Sequence, residues 1–160
     1  MTRRIALLCC ACWLAAGCGG GSGRPLPPDK LCELRDRMTG GKGFRGASAD
    51  KLPSLELGAS LDLNEFARLA NEKDGLHKAM RQFAEKTSQG ELVFIGNADN
   101  GVTLDQVREL LGKEDGSEQG TGNDSGVTFY GFSWVRVGFS GDKYPFVLRC
   151  SAAKFLQAEN

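Results

Sequence analysis

The chain of 160 residues holds one histidine, His77, and six cysteines, and these set most of the chemistry open to it. A serine or cysteine nucleophile activated by an imidazole has only His77 as its base. His77 follows Glu72, Lys73 and Asp74 on a helical stretch, where a solvated surface histidine is the expectation. Beyond Cys18 only Cys32 and Cys150 remain, and two cysteines with one histidine cannot make the usual four-ligand zinc site. Asp99, Asn100 and Asp105 cluster without the spacing of a calcium loop, and turn and N-cap chemistry accounts for them. The neighbours Glu114 and Asp115 fall in a Gly-rich stretch where nothing holds a catalytic separation. No glycine-rich segment ends in the Lys-Ser/Thr of a phosphate-binding loop. These residues predict a chain that is not an enzyme and carries no metal and no cofactor.

Cys18 offers a different chemistry. Arg3 and Arg4 precede an apolar run over residues 5–17, too short for the roughly 20 residues that cross a bilayer. The run reads as a secretion signal, to be excluded from the fold. Ala15, Ala16 and Gly17 stand directly before Cys18, which resembles the bacterial lipoprotein box, with Ala15 where that pattern usually has leucine. The resemblance implies lipid attachment at Cys18 after removal of residues 1–17. It implies an address in the bacterial envelope and, since Gly19 rather than Asp follows the cysteine, the outer membrane on its periplasmic side. The competing reading is a cut by ordinary signal peptidase at the same bond, which leaves a free Cys18. Residues 18–28 then form the lipidated cysteine and a Gly/Pro linker, and residues 29–160 a single domain. Ten linker residues span on the order of 17 Å as a coil and about 33 Å fully stretched.

Losing residues 1–17 removes Arg3 and Arg4, which leaves 18 basic against 20 acidic residues, a formal charge of −2. That balance argues against a nucleic-acid partner. Cys32 and Cys150, 118 positions apart, read as one disulfide in an oxidising space, with two buried free thiols as the alternative.

The elements that must position these residues are legible to different degrees. Leu31, Leu34 and Met38 share one face of a short helix that ends at Gly40-Gly41. Asp62 with Glu65 opens a second helical stretch, bent or split near Asp74-Gly75 and ending near Ser88. Residues 91–95 suit a buried strand. Thr103 and Gln106 form a capping box, with Val102 and Val107 as its hydrophobic staple and Gly112 as C-cap. Residues 39–59 and 113–126 read as loops. Val135, Val137 and Phe139 alternate outbound and Tyr144, Phe146 and Leu148 inbound, as a hairpin pairing Phe139 with Tyr144, Val137 with Phe146 and Val135 with Leu148. Residues 127–130 add a third strand, and residues 152–156 a last helical turn. The fold class expected is α+β, with N-terminal helices packed on an antiparallel β-meander.

Gly101, Thr103, Val107, Leu111 and Gly112, followed by an aromatic-rich meander, resemble the small outer-membrane lipoproteins of the SmpA/OmlA (BamE-like) group over about residues 101–149. Glu114 stands where that group usually has proline. The resemblance implies a non-enzymatic, lipid-anchored protein that binds another envelope protein, in outer-membrane assembly or maintenance. Helix-plus-meander units also occur in β-lactamase inhibitors, so a lipid-tethered inhibitor or ligand-binding module is the alternative.

On the outer face of the expected hairpin, Trp134 would lie across from Arg149 and two residues from Arg136, within stacking reach. Trp134, Arg136, Arg149 and Tyr130 are therefore the partner-binding candidates, being residue types that dominate protein–protein contacts. In the opposing reading the helices cover this face and Trp134 is core.

Overall fold

A computed structural model describes residues 23–53, 61–96, 102–141 and 145–159. The fold is α+β: the described residues form five α-helices and six strands, the strands making one antiparallel sheet in the order β1-β2-β6-β5-β4-β3. The strands are β1 Gly46–Asp50, β2 Glu91–Ile95, β3 Gly116–Gln119, β4 Val127–Phe132, β5 Val135–Ser140 and β6 Pro145–Ser151. The helices are α1 Pro28–Thr39, α2 Leu63–Ala70, α3 Gly75–Thr87, α4 Leu104–Leu111 and α5 Ala152–Glu159.

The capped helices form where expected. In α1, Leu31, Leu34 and Met38 are buried and Gly40 takes the left-handed C-cap conformation at φ 63°. The second helical stretch is two helices. Asp62 Oδ1 accepts from Glu65 N at 3.1 Å to start α2, and the chain breaks at the Asp74–Gly75 elbow. A Cβ at Gly75 would lie 1.9 Å from the Leu69 carbonyl oxygen, so only glycine lets α3 start this close to α2. Arg35, buried on α1, donates to the carbonyls of Ala70 and Glu72 at 2.9 and 2.7 Å and ties that elbow to α1. Thr103 and Gln106 make the reciprocal capping box at the start of α4.

Three elements were not legible in the sequence. Strand β1 lies inside the expected loop 39–59; its core-side residues Ala47 and Ala49 are too small to register as an apolar alternation. Strand β3, GSEQ, is exposed at all four positions and has no apolar pattern at all. Helix α5 runs the full length to Glu159 rather than one turn.

The hairpin register also differs. Val135 pairs with Cys150, Arg136 with Arg149 and Val137 with Leu148, two residues away from the expected pairing, and the ladder shifts between Gly138 and Phe139. A shift of two preserves the side-chain parity, so Val135, Val137 and Leu148 still face the core. Tyr144 and the side chain of Phe146 lie outside the described residues. Strand β4 reaches β5 through Ser133 and Trp134 alone, since Phe132 pairs directly with Val135.

The helices lie on one face of the sheet and enclose the main core, which includes Phe66, Phe83, Phe94, Phe132, Trp134 and Phe155. Residues Arg24 to Pro27 form an extended strap ahead of α1. Arg24 donates to the carbonyls of Leu111 and Lys113 at 2.6 and 3.2 Å, just past the end of α4. The side chain of Leu26 is buried in the main core.

Candidate functional site

Among the described residues no α-helix packs on the second face of the sheet, and the residues of that face follow from strand alternation. It presents Asp50, Glu91, Val93, Ile95, Glu118, Phe129, Gly131, Arg136, Gly138, Val147 and Arg149, which pair across the six strands. Val93, Val127, Phe129 and Val147 form a satellite apolar cluster here, separate from the main core. Gly138 makes that cluster possible. A Cβ there would lie 2.6 Å from Val147 Cγ1, 2.8 Å from Phe129 Cε1 and 2.9 Å from Val127 Cγ1. The glycine leaves its space to three neighbouring side chains.

Above this cluster Arg136 and Arg149 stand directly opposite each other on β5 and β6. Like charges so placed repel, and the surrounding acids reverse the sign. Glu91, almost buried, accepts from Arg136 Nη2 at 2.5 Å and from Arg149 Nη1 at 3.2 Å and so bridges the two guanidinium groups. Arg136 also pairs with Glu118. Arg149 donates to Asp50 at 2.9 Å and to Asp124 at 2.5 Å, which fastens the 3-10 turn Gly122–Asp124 to the sheet. Both guanidinium groups stand over the Phe129 ring, at 5.4 and 5.5 Å from its centroid.

Burial works against the charge of Arg149, but its hydrogen bonds to Asp50 and Asp124 outweigh that penalty and hold its pKa above the ordinary value. The hydrogen bond from Arg149 holds the Asp50 carboxyl below the usual range. With Lys51 3.8 Å from Glu91, three cations meet four carboxylates, so the cluster has no surplus positive charge to offer a phosphate.

Beside this network opens a cleft of about 510 Å³, at the end of the sheet where β4 turns into β5. Gly116 and Gly131 are paired in its lining. A Cβ on Gly116 would meet nothing within 4 Å, and one on Gly131 only the Gly116 carbonyl oxygen at 3.8 Å. Two facing residues without side chains are why there is space here. Lys51, Glu91, Glu118, Arg136 and Lys154 give the lining its charge.

Of the four residues expected to form a binding patch, the structure brings Arg136 and Arg149 together and separates the other two. Trp134 is not on the surface: its relative exposure is 0%. It occupies the second position of the two-residue β4–β5 turn rather than an alternating strand position, so its ring enters the main core. Tyr130 is on the helix-bearing face, half-buried and edge-on to Phe139. The expected disulfide is absent. Cys32 and Cys150 are both free thiols. Cys32 Sγ accepts from Asp74 N at 3.3 Å, while Cys150 is buried on a central strand, where desolvation pushes its thiol well up. Sequence reasoning missed Glu91 and Phe129, which are central to the network. Their signal was hidden because residues 91–95 read as a nearly all-apolar buried strand, and because the stretch that supplies Glu118 beside Phe129 read as a loop.

His77 is not a solvated surface residue either. It is buried, edge-on to Trp134 at 5.3 Å and to Phe155 at 6.1 Å, with Nε2 3.4 Å from Glu159 Oε1. That same oxygen accepts from Trp134 Nε1 at 3.1 Å and from Leu26 N at 2.9 Å. Neither His77 nor Glu159 lines the cleft. Asp105, from the acidic cluster read as turn and cap chemistry, pairs with Arg108 at 2.8 Å in the first turn of α4. Asp99 and Asn100, like Cys18, lie outside the described residues. Among the described residues no group of three His, Cys, Asp or Glu is placed to hold a metal ion, and no helix is long and apolar enough to cross a membrane.

No family model, no curated protein and no solved structure matches the chain.

Proposed function

We propose that the chain is a lipid-anchored protein of the bacterial envelope, without enzymatic activity, whose domain binds another envelope protein through the helix-free face of the sheet. The observation that carries the binding half is that no α-helix among the described residues packs on this face and that its apolar cluster continues to a solvent-exposed side chain at Ile95. The face holds the network of Arg136, Glu91 and Arg149, and beside it Ile95, which is 44% exposed, the exposed large hydrophobic side chain among the described residues. Ile95 pairs with Val147 on this face, two residues along β6 from Arg149, so an apolar spot has the fixed charge network on one side of it, as an interface core has a polar rim. The anchor half is supported by Ala15-Ala16-Gly17-Cys18, and the outer-membrane address by Gly19. A role in outer-membrane assembly or maintenance has its support in the SmpA/OmlA-like residues Gly101, Thr103, Val107, Leu111 and Gly112, of which all but Gly101 are at or inside the ends of α4.

The second reading, a lipid-tethered inhibitor or ligand-binding module, is favoured by the cleft, whose volume falls in the range of small-ligand sites.

One experiment tests both halves. A photo-crosslinking residue is placed at Ser48, exposed on the same face, in cells with and without globomycin. The expected result is an acylated Cys18 by mass spectrometry and a crosslink to an envelope protein that Ile95→Asp reduces at least several-fold with no change in thermal midpoint. An unacylated Cys18 refutes the anchor. A crosslink unaffected by Ile95→Asp refutes this face, and capture of a secreted hydrolase moves the reading to inhibition.

A further inference from the structure

The strap changes the length of the tether. The linker of residues 18–28 reads from sequence as one free leash, but the structure uses five of its residues as part of the body, Arg24 to Pro27 as the strap and Pro28 as the start of α1. Arg24 is held at both ends of its peptide unit and side chain. Its guanidinium donates to Leu111 and Lys113, and its carbonyl accepts from Ser133 Oγ at 2.6 Å. Leu26 is buried and its N–H donates to Glu159. A Cβ at Gly112 would lie 3.0 Å from Arg24 Nη1, so the α4 C-cap is shaped to let the strap pass.

From Cys18 to Arg24 the chain can reach no more than about 20 Å at full stretch, and its Gly/Ser composition predicts a coil of about 13 Å. It leaves the body at one end of the sheet. That end holds the Ser133–Trp134 turn, Lys113 after α4, the first residues of α5, Asp50 and Glu91. Ile95, Gln119 and Ser140 lie at the other end of their strands. At about 3.3 Å per residue the strands put Ile95 about 13 Å and Ser140 about 17 Å beyond that end, no closer than the relaxed length of the leash, so the near end is the one favoured against the bilayer.

Resting on the reading that Cys18 is acylated, we infer that the docked strap orients the domain, with the Ser133–Trp134 end facing the bilayer surface. The strands then stand away from the membrane, the cleft opens at the bilayer border and Ile95 points to the far side. Lys113 and Lys154, both exposed at this end, face the lipid headgroups.

The test uses the full acylated mature protein in nanodiscs that contain a headgroup-spin-labelled lipid, with line broadening read at backbone amides. The expected result is several-fold stronger broadening at Lys113, Ser133 and Lys154 than at Ile95, Gln119 and Ser140. A 12-residue Gly/Ser insertion after Gly21, which leaves every contact of the strap intact, should erase that gradient. Equal or reversed broadening in the acylated protein overturns the orientation. A gradient that survives the insertion overturns the leash as its cause. An unacylated Cys18 in the mass spectrum removes the anchor, and the orientation with it.

Discussion

One carboxylate oxygen, Glu159 Oε1, holds two parts of the chain together, the strap through Leu26 N and the β4–β5 turn through Trp134 Nε1, with His77 of α3 standing 3.4 Å away. A partly buried carboxylate needs such donors to offset its desolvation. The turn itself is strained. Ser133 sits at φ 57°, an uncommon conformation for a residue with a side chain. Two hydrogen bonds offset that strain, from Ser133 N to Asp115 Oδ2 and from Ser133 Oγ to the Arg24 carbonyl, both 2.6 Å. Trp134 therefore belongs to stability. Trp134→Ala should cost about 3–5 kcal/mol in urea denaturation, because it empties a core position and leaves Glu159 without one donor. A change under about 1 kcal/mol, the size of a typical surface substitution, would place the ring outside the core.

At the scale of elements, the packing of the helix-free face depends on β5 being thin. With Gly138 between Phe129 and Val147, the satellite cluster closes over the backbone of the strand. Gly138→Ala should destabilise by about 1–3 kcal/mol through overpacking. The same change at Gly131, whose Cβ would meet only one atom at 3.8 Å, should be close to neutral. Equal effects in equilibrium unfolding of the two variants would contradict this packing. The register of β5 against β6 matters in the same way. Pairing Arg136 with Arg149 is tolerable only because β2 brings Glu91 between them, so three strands must assemble before the face is neutral.

For the whole molecule, charge pairs fasten the two outer strands and the loops to the sheet. Arg149 holds β1 through Asp50 and the 3-10 turn through Asp124, and Arg108 on α4 holds Glu114 through two hydrogen bonds at 2.7 and 2.6 Å. Those bonds lower the Glu114 carboxyl from 4.5 to about 2, and Arg149 lowers Asp50. Both carboxyls have a lower pKa folded than unfolded, so their contribution is fully present above about pH 5 and is lost as pH falls through the folded values. The urea midpoint should hold level from pH 7 to 5 and fall from there to pH 2. Glu114→Gln should flatten part of that fall. A midpoint that stays level to pH 2 would refute these pairs.

The sequence by itself determined the local elements whose signals lie within a few residues: the caps of α1, α2 and α4, the break at Gly75, the buried strand at 91–95 and the parity of the meander. It also determined the α+β class. Each rests on side chain–backbone contacts or on alternation, which neighbouring residues carry unaided. Tertiary structure alone decided the rest. Strands β1 and β3 are edge strands whose small or polar residues carry no apolar pattern, and they exist because a neighbouring strand offers its hydrogen bonds. Trp134 is buried because a two-residue turn breaks the alternation that would have exposed it. Cys32 and Cys150 stay apart, and Arg136, Arg149 and Glu91 come together, because strands distant in sequence fix their positions. The strap docks because the end of α4, the β4–β5 turn and Glu159 converge on it, and only the folded chain brings those three to one place.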